Sequence, residues 1–489
     1  MMASTVLAVV LPLAASLISI VLGRRAPLLI FAIAPASLII AWRIAAMAPA
    51  LHVLGGWDAP LGIVLRADGL AASFIVLSAI VASAVGIFGI SYLRPPDAGE
   101  TRKAFAFWPL FYAAWAAINA VFLSRDLFNI YVALELLTLS AIALVAIDGG
   151  EKSLVAAMRY LLFALFGSLA FLIGTGLLFG AFGTLDLVLL GERINRSVPS
   201  VLAAALISTG LLAKTALFPL HVWLPQAHSQ APAPASALLS ALVVKASFYI
   251  LFRLWFDVLS PLAQPAIFTL LGGLGAMAVI YGGVMAMRQK RLKMIVAYST
   301  VAQLGYLFLV FPLATPSPSE QAWAAAAWSG TVFHGLAHGL AKAAMFLAAG
   351  TMILSARGDQ LENMTGVGRS VPIASTAFAM AAVSLIGLPP SGGFTAKYLM
   401  LTASFASGQW WWAGIFVAGG LLSAAYLLRP LNVLMRTREK HMQPLRSVHW
   451  SLEVLPLVLA VSAVLVGVMS MPLYQVIEAG SPILSDEVL

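Results

Sequence analysis

The sequence contains no cysteine, and only 10% of its 489 residues are charged, whereas about a quarter of the residues in a soluble domain are charged. The lack of cysteine excludes disulfides, thiolate metal sites and iron–sulfur clusters held by this chain. Hydrophobic residues make up 61% of the chain. Apolar runs of about 20 residues, enough to cross a bilayer as a helix, recur along nearly all of it. The composition therefore predicts an all-α polytopic membrane protein.

The apolar runs predict about fourteen transmembrane spans. They cover residues 4–22, 28–49, 68–92, 106–123, 127–147, 156–180, 199–220, 235–256, 264–287, 293–312, 322–354, 371–407, 410–434 and 452–475. The run Pro389-Pro390-Ser-Gly392-Gly393 interrupts the twelfth span, which could instead form two short spans. The first span is expected to be retained rather than cleaved as a signal peptide, because its basic residues follow the apolar run.

The distribution of positive charge predicts the orientation of the chain. Loops after odd-numbered spans carry most of the 28 lysines and arginines, whereas the opposite side has only Arg43, Arg66, Arg125, Arg193, Arg196 and Arg253. Because cytoplasmic loops are enriched in Lys and Arg, both termini are predicted on the outer, periplasmic side of the cell (inner) membrane. The formal net charge of +9 then faces the negative cytoplasmic leaflet and requires no nucleic-acid partner.

Four lysines fall at membrane depth, namely Lys214, Lys245, Lys342 and Lys397, and Glu135 is the one acid well inside a span. A lysine at the bilayer centre costs about 2.5–3.5 kcal/mol on insertion scales, so such residues usually mark ion paths. Lys214 also stands shortly before Pro219, where we expect a helix break. A break at this depth is tolerated where the backbone lines a buried or watery cavity. Lys214 is therefore predicted to lie on an ion path.

Glu135 is predicted to pair with Lys214, so that the charge on each would control the proton affinity of the other. A static ion pair that orients two helices is the alternative. Lys245 lies too far from either end of its span to reach the interface, and we interpret it as a proton relay. Its alternative is a lysine that is hydrogen-bonded to carbonyl groups for packing.

His334, His338 and Lys342 follow one another at intervals of four residues and share one helix face. Two histidines at this spacing can bind zinc, but no glutamate lies between them and the chain has no cysteine, so we predict no metal site. A polar stripe of groups that titrate near neutral pH is typical of a wet proton channel. His221 and His228 either extend the path from Lys214 toward one surface or only fill the loop.

Lys397 follows the break in the twelfth span, whereas Lys214 precedes the break in the seventh. Corresponding interrupted helices in two halves of a transporter indicate an inverted repeat, with the ion site at the interruptions. We expect spans four to eight and nine to thirteen to form the two repeats. The predicted organisation is a three-helix segment at 1–105, repeats at 106–260 and 261–435, and a C-terminal loop and last helix at 436–489.

These residues together resemble the antiporter-like, proton-conducting subunits of respiratory complex I, energy-converting hydrogenases and Mrp-type cation/proton antiporters. The resemblance extends from about residue 100 to 435. It rests on Glu135, on Leu-Leu-Ala-Lys214 before Phe-Pro-Leu-His-Val-Trp-Leu-Pro-Gln-Ala-His, on Lys245, on Lys290-Arg291 before Ala-Tyr-Ser-Thr-Val-Ala-Gln-Leu-Gly, on His334 with His338, and on Gly-Leu-Pro-Pro-Ser-Gly-Gly-Phe-Thr-Ala-Lys397.

The resemblance implies fourteen helices with two inverted five-helix repeats and discontinuous helices seven and twelve. It implies that Glu135 and Lys214 form a carboxylate–lysine pair, that Lys245 is the central relay and that Lys397 is the distal titratable group. Members work inside hetero-oligomers of membrane subunits and carry no redox centre of their own. The length of this chain is most similar to the D-type Mrp subunit, whereas the Ala-His-Ser-Gln-Ala-Pro run is more similar to complex I or hydrogenase subunits.

The resulting hypothesis is a non-enzymatic, cofactor-free proton-translocating subunit of an Mrp-type Na⁺(K⁺)/H⁺ antiporter, which exchanges protons and Na⁺ or K⁺ together with other membrane subunits. The alternative is the same kind of subunit in complex I (NADH-quinone oxidoreductase) or a membrane-bound energy-converting hydrogenase. A lipid-modifying membrane enzyme is a third hypothesis, and the scarcity of buried acids for a metal ion argues against it. The fourth is a passive assembly scaffold.

Overall fold

The computed structural model describes residues 2–94, 101–314, 321–438 and 444–479. Its α-helices are α1 Met2–Leu22, α2 Ile30–Met47, α3 Gly69–Tyr92, α4 Arg102–Leu123, α5 Leu127–Ala146, α6 Glu151–Phe182, α7 Leu187–Arg193, α8 Val198–Thr215, α9 Trp223–Gln230, α10 Ala233–Leu238, α11 Val244–Arg253, α12 Pro265–Arg288, α13 Leu292–Leu307, α14 Val310–Leu313, α15 Gln321–Ala356, α16 Val367–Ser370, α17 Pro372–Ile386, α18 Gly392–Ala406, α19 Trp410–Met435, α20 Ser451–Val468 and α21 Ser470–Glu478. Two strands, β1 Ala50–Val53 and β2 Val64–Ala67, form an antiparallel hairpin in which Ala50 pairs with Ala67.

Within the described residues, twelve stretches are long and apolar enough to cross a membrane. One of them, Ser4–Met47, contains both α1 and α2, which a 3₁₀ turn joins. Helices α17 and α18, the two parts of the predicted twelfth span, have 15 residues each. Each is therefore shorter than a helix that crosses a membrane alone. The prediction of an all-α polytopic membrane protein is confirmed, and the count of fourteen spans and the inverted repeats stay predictions.

Of these stretches, the most buried is Ala233–Val258, which contains α10 and α11. Its apolar 18-residue stretch is entirely enclosed by the protein. By contrast, only 28% of the equivalent 18-residue stretch is buried in Ser4–Met47 and in Ser451–Val468. Two π-helical turns, Leu239–Val243 and Leu254–Val258, flank α11. Such turns open the regular hydrogen-bond ladder and are frequent at functional sites. The central segment therefore holds Lys245 away from lipid, as its expected depth requires.

Both predicted interruptions are present. Helix α8 ends at Thr215, because Ala216 takes a left-handed conformation with φ 59°. This end lies before Pro219, earlier than the predicted span edge at residue 220, and the chain becomes helical again at Trp223. Helix α17 ends at Ile386, where Gly387 has φ 90°, a region that glycine adopts without strain.

Candidate functional site

Glu135 and Lys214 form an ion pair between α5 and the last turn of α8. The Lys214 Nζ lies 2.9 Å from the Glu135 Oε1 and 3.1 Å from the Thr138 hydroxyl oxygen, to both of which it donates. The Ser168 hydroxyl of α6 donates to the same carboxylate oxygen. The Lys214 side chain is 4% exposed and that of Glu135 28%. The lysine is thus enclosed, whereas its carboxylate partner reaches the molecular surface.

A pair of glycines brings α6 and α8 close enough for this contact. A Cβ atom at Gly210 would lie 2.4 Å from the carbonyl oxygen of Gly167, and one at Gly167 would lie 3.1 Å from the Lys214 Cγ. The two backbones therefore touch directly beside the ion pair. At the interrupted end of α8, the indole nitrogen of Trp223 donates a hydrogen bond to the Ala213 carbonyl at 3.0 Å.

Lys245 is completely buried, and its Nζ donates to the Ser240 carbonyl at 2.8 Å. Ser240 belongs to the π-helical turn that precedes α11, and its hydroxyl lies 2.9 Å from that of Thr300 in α13. The π-turn thus supplies the acceptor for the lysine. This geometry fits both interpretations of Lys245, as a relay and as a lysine anchored to a carbonyl group.

The predicted stripe on α15 is fully enclosed by neighbouring helices. The rings of His334 and His338 stack with centroids 5.5 Å apart. The Lys342 Nζ donates to the Val296 carbonyl at 3.0 Å and to the Ser299 hydroxyl. Among the described residues, neither ring nitrogen of His338 has a hydrogen-bond partner. Because buried polar groups are normally satisfied by protein or water, this stripe is chemically suited to a hydrated environment.

Lys397 caps the interruption between α17 and α18. Its Nζ donates to the carbonyl oxygens of Leu385 at 3.0 Å and Ile386 at 2.9 Å, which belong to the last turn of α17. The ammonium also lies 4.7 Å from the centre of the Tyr306 ring, a cation–π distance. A Cβ atom at Gly387 would be only 2.7 Å from the Lys397 Cδ. The glycine therefore leaves room for the lysine stem.

Gln303 of α13 connects Lys397 with the histidine stripe. Its amide nitrogen donates to the Leu385 carbonyl at 3.1 Å, the same oxygen that accepts from Lys397. The backbone carbonyl oxygen of Gln303 lies 3.0 Å from the His334 Nε2. Gln303, Ser168 and Thr138 were not predicted as site residues from the sequence. A polar residue inside a predicted span was the only available signal, and many such residues are buried for packing alone.

His221 and His228 have different surroundings. His228 is completely buried, and its ring stacks on Phe346 of α15 with centroids 4.9 Å apart. His221 packs against Tyr281 of α12, also at 4.9 Å. His228 thus lies against the helix that carries the stripe, whereas His221 faces α12. Their predicted role in extending the path from Lys214 stays a prediction.

A polar cavity of about 360 Å³ opens at the end of the bundle where α10 begins. Its lining includes two ion pairs, Lys103–Asp148 with nitrogen and oxygen 2.5 Å apart and Arg291–Asp359 at 2.8 Å. Lys293 is a buried part of the lining of this cavity and donates to the Ala231 carbonyl. At this end of the bundle, charged side chains therefore line a cavity that extends to the buried Lys293.

Residues 124–423 match the family described as NADH:quinone oxidoreductase/Mrp antiporter, TM. The chain is 36% identical over 390 residues to the NADH-quinone oxidoreductase subunit N of Desulforudis audaxviator, covering 78% of this chain and 75% of that protein. It is 30% identical over 381 residues to the D-type subunit of the Na(+)/H(+) antiporter of Bacillus subtilis, covering 77% and 74%.

Two solved structures have the same fold. A chain of an archaeal respiratory complex, the membrane-bound sulfane sulfur reductase, superposes with a TM-score of 0.88 at 27% identity and 98% coverage of both chains. A chain of the Mrp complex from Dietzia sp. DQ12-45-1b also gives 0.88, at 21% identity, covering 99% of this chain and 100% of that chain. The family match covers more than half of the sequence, and the fold agrees over nearly all of it. The chain belongs to the NADH:quinone oxidoreductase/Mrp antiporter transmembrane family.

Proposed function

We propose that this chain is the proton-translocating subunit of a hetero-oligomeric Mrp-type Na⁺(K⁺)/H⁺ antiporter. The observation that carries the proposal is the Glu135–Lys214 ion pair, in which a buried lysine lies beside an interrupted helix. Two groups that exchange protons at this distance can switch between a charged and a neutral pair. A passive scaffold would not need a lysine enclosed to 4% exposure at a helix break.

The proposed path begins at Glu135 and Lys214, passes Lys245 in the central helix, and continues along the α15 stripe to Lys397. Supporting contacts are the π-turn acceptor of Lys245 and the Gln303 link between the stripe and Lys397. The proton would arrive at Lys397 from His334, because Gln303 lies between them. His334 contacts the backbone carbonyl of Gln303, and Lys397 shares the Leu385 carbonyl with the side-chain amide of Gln303. We further propose that spans four to eight and nine to thirteen are the inverted repeats and that both termini lie on the outer, periplasmic side of the cell membrane.

A second candidate is a pumping subunit of a redox enzyme, either complex I or a related respiratory complex. The identity of 36% with a complex I subunit N exceeds the 30% with the D-type Mrp subunit and favours this candidate. In either assembly the chain itself would transport protons, and any redox centre would reside in other subunits. Co-purification decides between them, since a redox complex would bring subunits that ligate iron–sulfur clusters.

The proposed function is tested with Glu135→Gln and Lys214→Ala in the purified, assembled complex. We expect both variants to lose proton-coupled transport in proteoliposomes while subunit composition stays unchanged. Glu151→Gln is the matched control, because Glu151 is an exposed acid at the start of α6 and should retain transport. Wild-type transport by an assembled Glu135 or Lys214 variant would contradict the proposed mechanism.

A further inference from the structure

The central helix α11 carries a second set of polar residues beyond Lys245. Tyr249 and Arg253 follow Lys245 at intervals of four residues and therefore lie on the same helix face. They stand about 6 and 12 Å further along the axis. Asp257 comes next, in the π-helical turn Leu254–Val258. Lys245, Tyr249, Arg253 and Asp257 thus form a file of polar side chains. It leads to the end of the helix opposite the polar cavity that Lys293 lines.

Arg253 closes this file with all of its donor nitrogens engaged. Its Nε and Nη2 donate to the Tyr249 hydroxyl at 3.1 and 3.0 Å. Its Nη1 donates to the Asp68 Oδ2 at 2.6 Å and to the Asp257 Oδ2 at 3.1 Å, and its Nη2 also donates to Asp68. Asp68 is the N-cap of α3, so the guanidinium joins two transmembrane helices.

Arg66 of the hairpin holds the two carboxylates from the other side. Its guanidinium lies 2.8 Å from the Asp68 Oδ2 and 3.2 Å from the Asp257 Oδ2. Burial alone would raise the pKa of Asp68, but the guanidinium groups of Arg253 and Arg66 hold it below its ordinary value. The carboxylate therefore stays ionised over the physiological range and keeps Arg253 in place.

Exposure falls steadily along the file. The side chains of Arg66, Asp257 and Arg253 are 24%, 11% and 7% exposed, and whole-residue exposure is 3% at Tyr249 and zero at Lys245. The cluster consequently stands between solvent and the buried lysine. The Tyr249 hydroxyl donates to the Phe122 carbonyl at 2.7 Å, so its proton points away from the file.

We propose that Arg253, anchored by Asp68, is a seal that prevents protons from passing between Lys245 and the solvent at this end of the helix. This inference rests on the proposed function. Arginine does not release its proton in proteins, so it cannot relay one. The guanidinium also binds the Tyr249 hydroxyl and the carboxylates of Asp68 and Asp257, so it occupies the groups that could otherwise pass a proton along the file. Transfer from Lys245 is thereby confined to the lateral route through the bundle.

The test measures passive proton leak in proteoliposomes that contain the assembled complex, a pH dye and no Na⁺ or K⁺ gradient. Arg253→Gln should raise the leak severalfold, because the group that cannot release its proton is gone and the Tyr249 hydroxyl loses two donors. The double variant Arg253→Gln with Lys245→Met should return to the wild-type leak, because the relay is gone. Arg125→Gln is the control, since the partly buried ion pair that Arg125 forms with Asp186 involves no residue of the file.

An assembled Arg253→Gln complex that stays tight but retains Glu135-dependent transport overturns the seal and leaves the proposed function standing. A leak that persists in the double variant also overturns it, because the protons then bypass Lys245. If Arg253→Gln does not assemble, Asp68→Asn takes its place. Asp68→Asn should leak because Arg253 loses its charged anchor, and a tight Asp68→Asn complex contradicts the seal.

Discussion

Substitution of Gly210 by alanine should disturb proton transport although the new methyl group touches no ionisable side chain. The methyl carbon would lie 2.4 Å from the Gly167 carbonyl oxygen, about 1 Å inside ordinary contact distance. Helices α6 and α8 must then separate by about that amount. Because the Ser168 hydroxyl of α6 donates to Glu135, we expect Glu135 to move away from Lys214 together with α6.

The size of the effect follows from the distance in the ion pair. Lengthening the Lys214–Glu135 separation from 2.9 Å by about 1 Å removes roughly 1.5 kcal/mol of attraction at an effective dielectric constant of about 20. That energy changes the proton equilibrium of the pair by roughly tenfold. The overpacked methyl group destabilises the folded state by about 1–3 kcal/mol, whereas the higher helix propensity of alanine stabilises it by about 1 kcal/mol.

The assay compares Gly210→Ala with Gly176→Ala, a substitution in α6 where a Cβ atom meets nothing within 4 Å. Proton-coupled transport and the thermal unfolding of the assembled complex are measured for both variants. Gly210→Ala should slow transport by about tenfold and lower the unfolding temperature. Gly176→Ala should match the wild type or be slightly more stable. Equal transport and equal stability of the two variants would refute the role assigned to the glycine contact.

Three further predictions concern the other parts of the site. Ser168→Ala removes the hydroxyl that donates to the carboxylate of the ion pair, and it should slow transport by about tenfold and change its pH profile without altering assembly. Gly387→Ala should abolish transport because its methyl group displaces Lys397, whereas Gly408→Ala, with φ 72° and an open surrounding, controls for backbone strain alone. Burial raises the pKa of the helix cap Asp126, so its ionised carboxylate lowers the free energy of unfolding at neutral pH. Asp126→Asn, which keeps a good cap, should raise the unfolding temperature at pH 7, and the difference should shrink as the pH falls.

The charges at membrane depth could be predicted from the sequence because lipid makes each one costly. Lys214, Lys245, Lys342 and Lys397 all lie in the interior, and Glu135 reaches Lys214 as expected. Their roles in proton transfer stay predictions. The helix breaks could be predicted as well, because proline and glycine interrupt otherwise apolar runs. In each case a strong local energy term decides the outcome, and it can be read from a short stretch of sequence.

The contacts that surround these charges could not be predicted, because they depend on packing between distant segments. Arg253 was assigned to an outer loop by the charge pattern, but the structure buries it against Asp68, 185 positions away. The close approach of Gly167 and Gly210 is equally invisible, since most glycines in membrane helices have no such partner. Gln303 gains its importance only from the carbonyl that it shares with Lys397.

The imbalance between lysines and acids inside the protein constrains how protons can occupy the path. Lys245, Lys342 and Lys397 donate to backbone or hydroxyl oxygens, and only Lys214 has the carboxylate of Glu135 as a partner. Neutral oxygens stabilise an ammonium without cancelling its charge, so each added proton raises the cost of the next one in a poorly screened interior. Protons should therefore occupy the path a few at a time, and the state of Glu135 determines whether the first lysine adds to that repulsion.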